Sequence, residues 1–208
     1  MSRYNSHVCS YYHGLPKVIL NFTEIANLLA GTKTGYFHLH ILIIMKITDK
    51  YIFFWDGVYS QWYPEDMQID GTFYNCCGQY MMEQKALLFG DKGTAKKIMK
   101  TMSPSEQKEL GRSVKNFDRD IWDQNCMSIV IKGNYGKFAA PGMLRKDLIR
   151  TGNKIIVEAS PYDKIWGIGM SENDPGIEDP ANWKGLNLLG HAIMTVRCLL
   201  IFESYNTI

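Results

Sequence analysis

The sequence predicts an α+β fold, predominantly helical, built as a single compact domain with a few short strands. Apolar residues recur at helical spacing over 79–89, 121–138 and 188–202. Apolar runs suited to strands are short, at 51–55 and 155–159, and no βαβ rhythm links them. The 208 residues are 46% hydrophobic and 21% charged, as expected of one globular domain with a sizeable core.

Taken in order, the elements follow from local chemistry. Met45 opens Met-Lys-Ile-Thr-Asp-Lys, which reads as a protein start followed by a strand, so 1–44 is expected to be an appendage of unknown role and 45–208 the functional domain. Within 1–44, Leu20 to Leu29 could form a short helix begun by Asn21 or Thr23. Tyr51 to Trp55 is apolar and aromatic and suits a buried strand. Asp56-Gly57 and Tyr63-Pro64 punctuate loops. Met67 to Tyr74 is interrupted by Asp70-Gly71, a dipeptide that favours a tight hairpin turn. Gln79 to Phe89 is helical and ends at Gly90-Asp91. Ser103-Pro104-Ser105-Glu106 marks a helix start, with Ser103 as cap, Pro104 in the first turn and Glu106 three residues after the cap. Ile121 to Phe138 predicts a long helix with a fault at Gly133. A short helix at Lys146 to Thr151, a strand at Ile155 to Ala159, a Gly/Pro-rich loop to Asn187 and an amphipathic helix from Leu188 to Phe202 complete the chain.

Composition excludes several function classes. A net charge of +2 leaves no electrostatic footprint for nucleic acid. The longest apolar run, Ile41 to Met45, is far below the roughly 20 residues of a bilayer span, so no membrane partner is expected. Five cysteines without C-x-x-C spacing argue against structural zinc and against a secreted disulfide framework. A reduced, cytoplasmic setting fits best. No metal, cofactor or obligate protein partner is implied.

Several constellations could carry chemistry. Positions 78 and 85 are two turns apart and share a helix face, so Lys85 would look into the same space as residue 78; taken alone, Lys85 reads more readily as a solvated helix lysine. Ser60-Gln61-Trp62-Tyr63-Pro64 offers hydroxyl and amide groups beside an aromatic ring, suited to a sugar, or simply a loop with a core tryptophan. After the strand ending in Glu158-Ala159, Asp163 brings a carboxylate, Trp166 a large ring, and Gly167 and Gly169 a backbone open to close approach. Trp166 could equally be core and Asp163 a salt-bridge partner. Arg112 and Arg119 are cations of the kind that hold phosphate, although isolated arginines are more often surface residues. His191 reads as packed rather than catalytic.

Together these segments resemble one family, NADAR (NAD and ADP-ribose associated). The match runs through Ser60-Gln61-Trp62-Tyr63-Pro64, Gln79-Tyr80-Met81-Met82 with Lys85-Ala86, Leu88-Phe89-Gly90-Asp91 and Lys108-Glu109-Leu110-Gly111-Arg112. It continues with Arg119 and Trp122, Gly133-Asn134 with Lys137-Phe138, Glu158-Ala159-Ser160-Pro161-Tyr162-Asp163, Ile165-Trp166-Gly167-Ile168-Gly169, and Trp183 to Gly190. The resemblance implies a single NADAR-type domain that cleaves an N-ribosyl bond in a ribosylamino-pyrimidine phosphate of riboflavin biosynthesis or in ADP-ribosyl-guanine. The partner implied is a small ribose phosphate or ADP-ribose-type ligand, with ADP-ribosylated guanine in nucleic acid as a further form. It implies Lys85 and Asp163 as catalytic groups, and Ser60, Gln61, Trp62, Tyr80, Arg112, Arg119, Trp166, Gly167, Gly169 and Asn187 as ligand-binding residues.

One departure stands out. Gly78 occupies the position where the family carries glutamate. The activity is therefore expected to be impaired, with a non-catalytic ADP-ribose or NAD-binding protein as the alternative. Restoring glutamate at 78 is expected to raise activity and to stabilise the helix by somewhat under about 1 kcal/mol.

Overall fold

A computed structural model describes residues 45–206; the extension expected over 1–44, with its short helix, lies outside the described residues. The described residues begin with strands β1 (Met45–Ile47) and β2 (Tyr51–Phe54) and the hairpin β3 (Met67–Ile69) and β4 (Thr72–Tyr74). Five helices follow: α1 (Cys77–Leu88), α2 (Lys92–Ile98), α3 (Pro104–Arg112), α4 (Arg119–Ala139) and α5 (Met143–Arg150). Strand β5 (Ile155–Glu158) and helix α6 (Leu188–Asn206) complete the described residues. The fold is α+β and mostly helical, as the sequence predicts.

The hairpin turn is explained by two residues. Asp70 and Gly71 take φ of 50° and 81°, the left-handed pair that matches the twist of flanking strands. Helix starts are likewise local. The Ser103 hydroxyl accepts from the Glu106 N–H and the Asp118 carboxylate from the Ile121 N–H. At α1 the Cys76 sulfur accepts from the Gln79 N–H. Helix α2, which the sequence does not predict, is capped by Asp91, whose carboxylate accepts from both the N–H and the hydroxyl of Thr94.

β2 is the central strand of the three-stranded sheet, antiparallel to β1 and parallel to β5. All four of its residues are buried, the pattern of a strand covered on both faces. The final rung of the parallel ladder pairs Phe54 with Glu158. Helix α6 packs against β5, α4 and α5. It is long and apolar enough by composition to cross a membrane, yet its Leu189, Ile193, Val196 and Leu200 side chains are buried in this domain. His191, expected to be packed, is exposed on its first turn.

Gly133 is a packing device rather than a fault in α4. A Cβ there would stand 2.9 Å from the Tyr80 ring, so glycine lets α1 approach α4. Gly133→Val should destabilise the fold by roughly 1–3 kcal/mol through overpacking, read from the denaturant midpoint. An unchanged midpoint would remove this explanation of the glycine.

Candidate active site

The loop after β2 is set by Asp56, whose carboxylate accepts from the Gly57 N–H at 2.7 Å. It delivers Ser60, Gln61 and Trp62 to the first turn of α1, where the Gly78 N–H donates to the Gln61 carbonyl at 2.7 Å. Ser60 and Gln61 are both buried, and their polar atoms serve the scaffold. The Ser60 carbonyl accepts from the Lys137 ammonium at 3.0 Å, and the Gln61 side-chain oxygen accepts from Asn134 at 3.1 Å. The amine of Lys137 is buried, which holds its pKa below the ordinary lysine range.

Trp62 accounts for Gly78. A Cβ at 78 would lie 2.3 Å from two atoms of the Trp62 ring and 2.8 Å from a third. The indole fills the volume that a side chain at this position would need. The Lys108 ammonium, on α3, lies 5.9 Å from the centroid of the same ring.

At the sheet edge, β5 ends in Glu158. Its backbone N–H donates to the Asn187 side-chain oxygen at 3.0 Å, while the Asn187 amide donates to the Ile156 carbonyl at 3.0 Å. Asn187, in a left-handed conformation at φ 52°, thus clamps the returning loop to the strand. Gly167 serves the same closure: a Cβ there would come within 2.9 Å of the Glu158 carbonyl and 3.0 Å of the Asp163 carbonyl. One Asp163 carboxylate oxygen accepts from the Ile165 and Trp166 N–H groups, both at 2.8 Å.

The Glu158 carboxyl stands out electrostatically. Its Oε2 atom is buried and has no hydrogen-bond partner. Burial, and then the negative charge of Asp163, push its pKa up from 4.5 to about 8, with the Lys108 cation acting in the opposite direction. A buried carboxyl without a partner favours its neutral form because ionising it there forfeits solvation. Near neutrality it is therefore a carboxylic acid with a proton to give. Lys108 links the two halves of the site, lying over Trp62 and acting electrostatically on Glu158.

The same shift makes stability depend on pH. Between 4.5 and about 8 the folded protein holds a proton on Glu158 that the unfolded chain has released. Stability is greatest below the unfolded pKa and falls as pH rises toward 8, by on the order of a few kcal/mol in all. Denaturant titrations at pH 5 and pH 8 should show this loss in the native protein and a smaller one in Glu158→Gln. Equal slopes in the two proteins would place the titrating group elsewhere.

The other sequence-predicted residues lie in different surroundings. The Lys85 amine donates to the Gly111 carbonyl at 2.9 Å and faces the rings of Phe117, at 4.3 Å, and Trp122, at 5.6 Å. Partial burial lowers its pKa. It shares the α1 face with Gly78 but sits about 10 Å further along the axis. Tyr80 is buried in a cluster with Met67, Ile69, Tyr74 and Cys77. Arg112 is exposed. Arg119 is exposed and its Nε donates to both carboxylate oxygens of Asp123, at 2.8 and 2.7 Å. Trp166 is half-buried, and Gly169 takes φ 66° beside Lys164 and Lys184. Glu158 and Lys108 were missed as site residues. The available signal was an acid closing the apolar run Ile155-Ile156-Val157. Among the described residues no group of three or more His, Cys, Asp or Glu side chains is arranged to hold a metal.

The sequence and the fold both have relatives among known proteins. The chain is 44% identical over 164 residues to the N-glycosidase R617 of Acanthamoeba polyphaga mimivirus, covering 72% of this chain and 96% of that protein. It is 32% identical over 178 residues to the protein irg-1 of Caenorhabditis elegans, covering 77% and 84%. The NMR structure of the E. coli protein YbiA superposes with a TM-score of 0.63 at 25% identity, covering 78% of this chain and 92% of that one. Residues 53–201 match the NADAR domain, and the chain belongs to the NADAR family.

Proposed function

We propose that this protein hydrolyses the N-glycosidic bond of a ribosyl ligand, with Glu158 as the acid. The observation that carries the reading is the buried Oε2 of Glu158, which has no hydrogen-bond partner, in a carboxyl whose pKa burial raises to about 8. The N-glycosidase name of the mimivirus relative supports the reaction class. As the C1′–N bond breaks, its electron pair goes to nitrogen, which takes the Glu158 proton. The negative charge of Asp163 stabilises the oxocarbenium-like sugar. Water adds to C1′ and returns a proton to the Glu158 carboxylate, which closes the cycle.

Glu158 thereby does the work expected of an acid at 78. Lys85 could trap the opened sugar as a Schiff base, but its bond to the Gly111 carbonyl favours a role in holding α3 to α1. The substrate class this reading favours is a ribosylamino-pyrimidine phosphate or ADP-ribosyl-guanine, with Arg112 as a phosphate contact.

One observation favours a second reading, binding of ADP-ribose or NAD without turnover: the Trp62 ring occupies the space of the family's glutamate. Mass spectrometry of both candidate substrates after incubation with the protein separates the two. Release of free base or pyrimidine supports the hydrolase. Intact substrates together with measurable ADP-ribose binding support the binder.

A further inference from the structure

The last rung of the parallel ladder, Phe54 opposite Glu158, is extended by the Ala159 N–H donating to the Phe54 carbonyl at 2.6 Å. Beyond that rung the two strands each supply an aromatic residue, Trp55 after β2 and Tyr162 after β5. Their ring centroids are 5.8 Å apart with the planes tilted by 49°. Tyr51, Phe53 and Phe54 on the same strand are buried, whereas Trp55 is 53% and Tyr162 84% exposed. Two large rings in mutual contact thus face solvent at the strand ends that carry the reactive carboxyl. Neighbouring strands lie about 5 Å apart, so Trp55 is close to Ala159 and one residue past the partner of Glu158.

We propose that Trp55 and Tyr162 form a stacking platform for a purine or pyrimidine ring at the mouth of the Glu158 site. The location argument rests on the glycosidase reading, in which the leaving group departs as a heteroaromatic base beside Glu158. The chemistry of the platform stands apart from it. Planar π faces accept any base, because every base offers a π face in return. Lys164, exposed two residues beyond Tyr162, adds a cation on the same loop.

The test is binding rather than turnover, with Trp55→Ala, Tyr162→Ala and Tyr162→Phe titrated by calorimetry. The probes are ADP-ribose, guanosine monophosphate, ribose 5-phosphate and a guanine-containing single-stranded oligonucleotide. Each alanine variant should weaken the base-containing probes by ~5–100-fold and leave ribose 5-phosphate unchanged, while Tyr162→Phe retains native affinity. A larger loss for the oligonucleotide than for guanosine monophosphate identifies nucleic acid as the source of the base. An equal or smaller loss identifies a free nucleotide. Native affinity of both alanine variants for every base-containing probe overturns the platform. Absence of cleavage by the native protein would count against the glycosidase reading alone, since the ring dependence of binding is read separately.

Discussion

Glu158→Gln is expected to lower glycosidase turnover by roughly 10²–10⁴-fold, the usual contribution of one positioned acid–base group. Affinity for ribose 5-phosphate should stay near native. Glutamine keeps the shape of the side chain and removes both the proton and the pH response. In the native enzyme kcat/KM should therefore be level below about pH 8 and fall above it, as Glu158 loses its proton. The fall above pH 8 should be missing from the residual activity of the variant. Native turnover by Glu158→Gln would remove Glu158 from the chemistry.

The second large effect concerns Gly78. Helix propensity alone favours glutamate there by somewhat under about 1 kcal/mol. Sterics outweigh it, because the new Cβ would meet the Trp62 ring at 2.3 Å. The indole must leave its place between α1 and Lys108, at an overpacking cost of typically 1–3 kcal/mol. Gly78→Glu alone is expected to be less stable than the native protein and no faster. Gly78→Glu combined with Trp62→Ala clears the space and should turn over faster than Trp62→Ala alone. Denaturant titration and mass-spectrometric turnover of the three variants check this. A single Gly78→Glu variant of native stability with raised turnover would mean that Trp62 moves aside at no cost.

These two residues also mark where the sequence is legible and where it stops being so. Features fixed by neighbours in the chain could be read directly: the Asp70-Gly71 turn, the Ser103-Pro104 helix start and the fully apolar strand Tyr51–Phe54. The pairing of β2 with β5 was not readable, because parallel strands joined across five helices leave no local signature. The same limit hid the Trp62–Gly78 contact. Each residue was visible in its own motif, but the reason for the glycine is the ring of a residue on another segment. Asp163, in the loop after β5, is legible as a carboxylate beside a strand end, and what the fold adds is that its own loop's N–H groups hold one of its oxygens. Glu158 becomes distinctive only once the fold buries its Oε2 atom without a partner. The side chains of Gln61 and Asn187 are spent on hydrogen bonds between segments, and the Ser60 hydroxyl accepts from the Trp62 N–H within its own loop.

The titration of Glu158 itself decides whether it can act as the acid. Carbon-13 NMR of the side-chain carboxyl, assigned by its disappearance in Glu158→Gln, follows the proton without requiring a substrate. A midpoint near pH 8 is expected, as burial and the charge of Asp163 dictate. A midpoint near 4.5, the value of an ordinary glutamate, would mean that Glu158 is ionised at neutral pH and cannot protonate the leaving base.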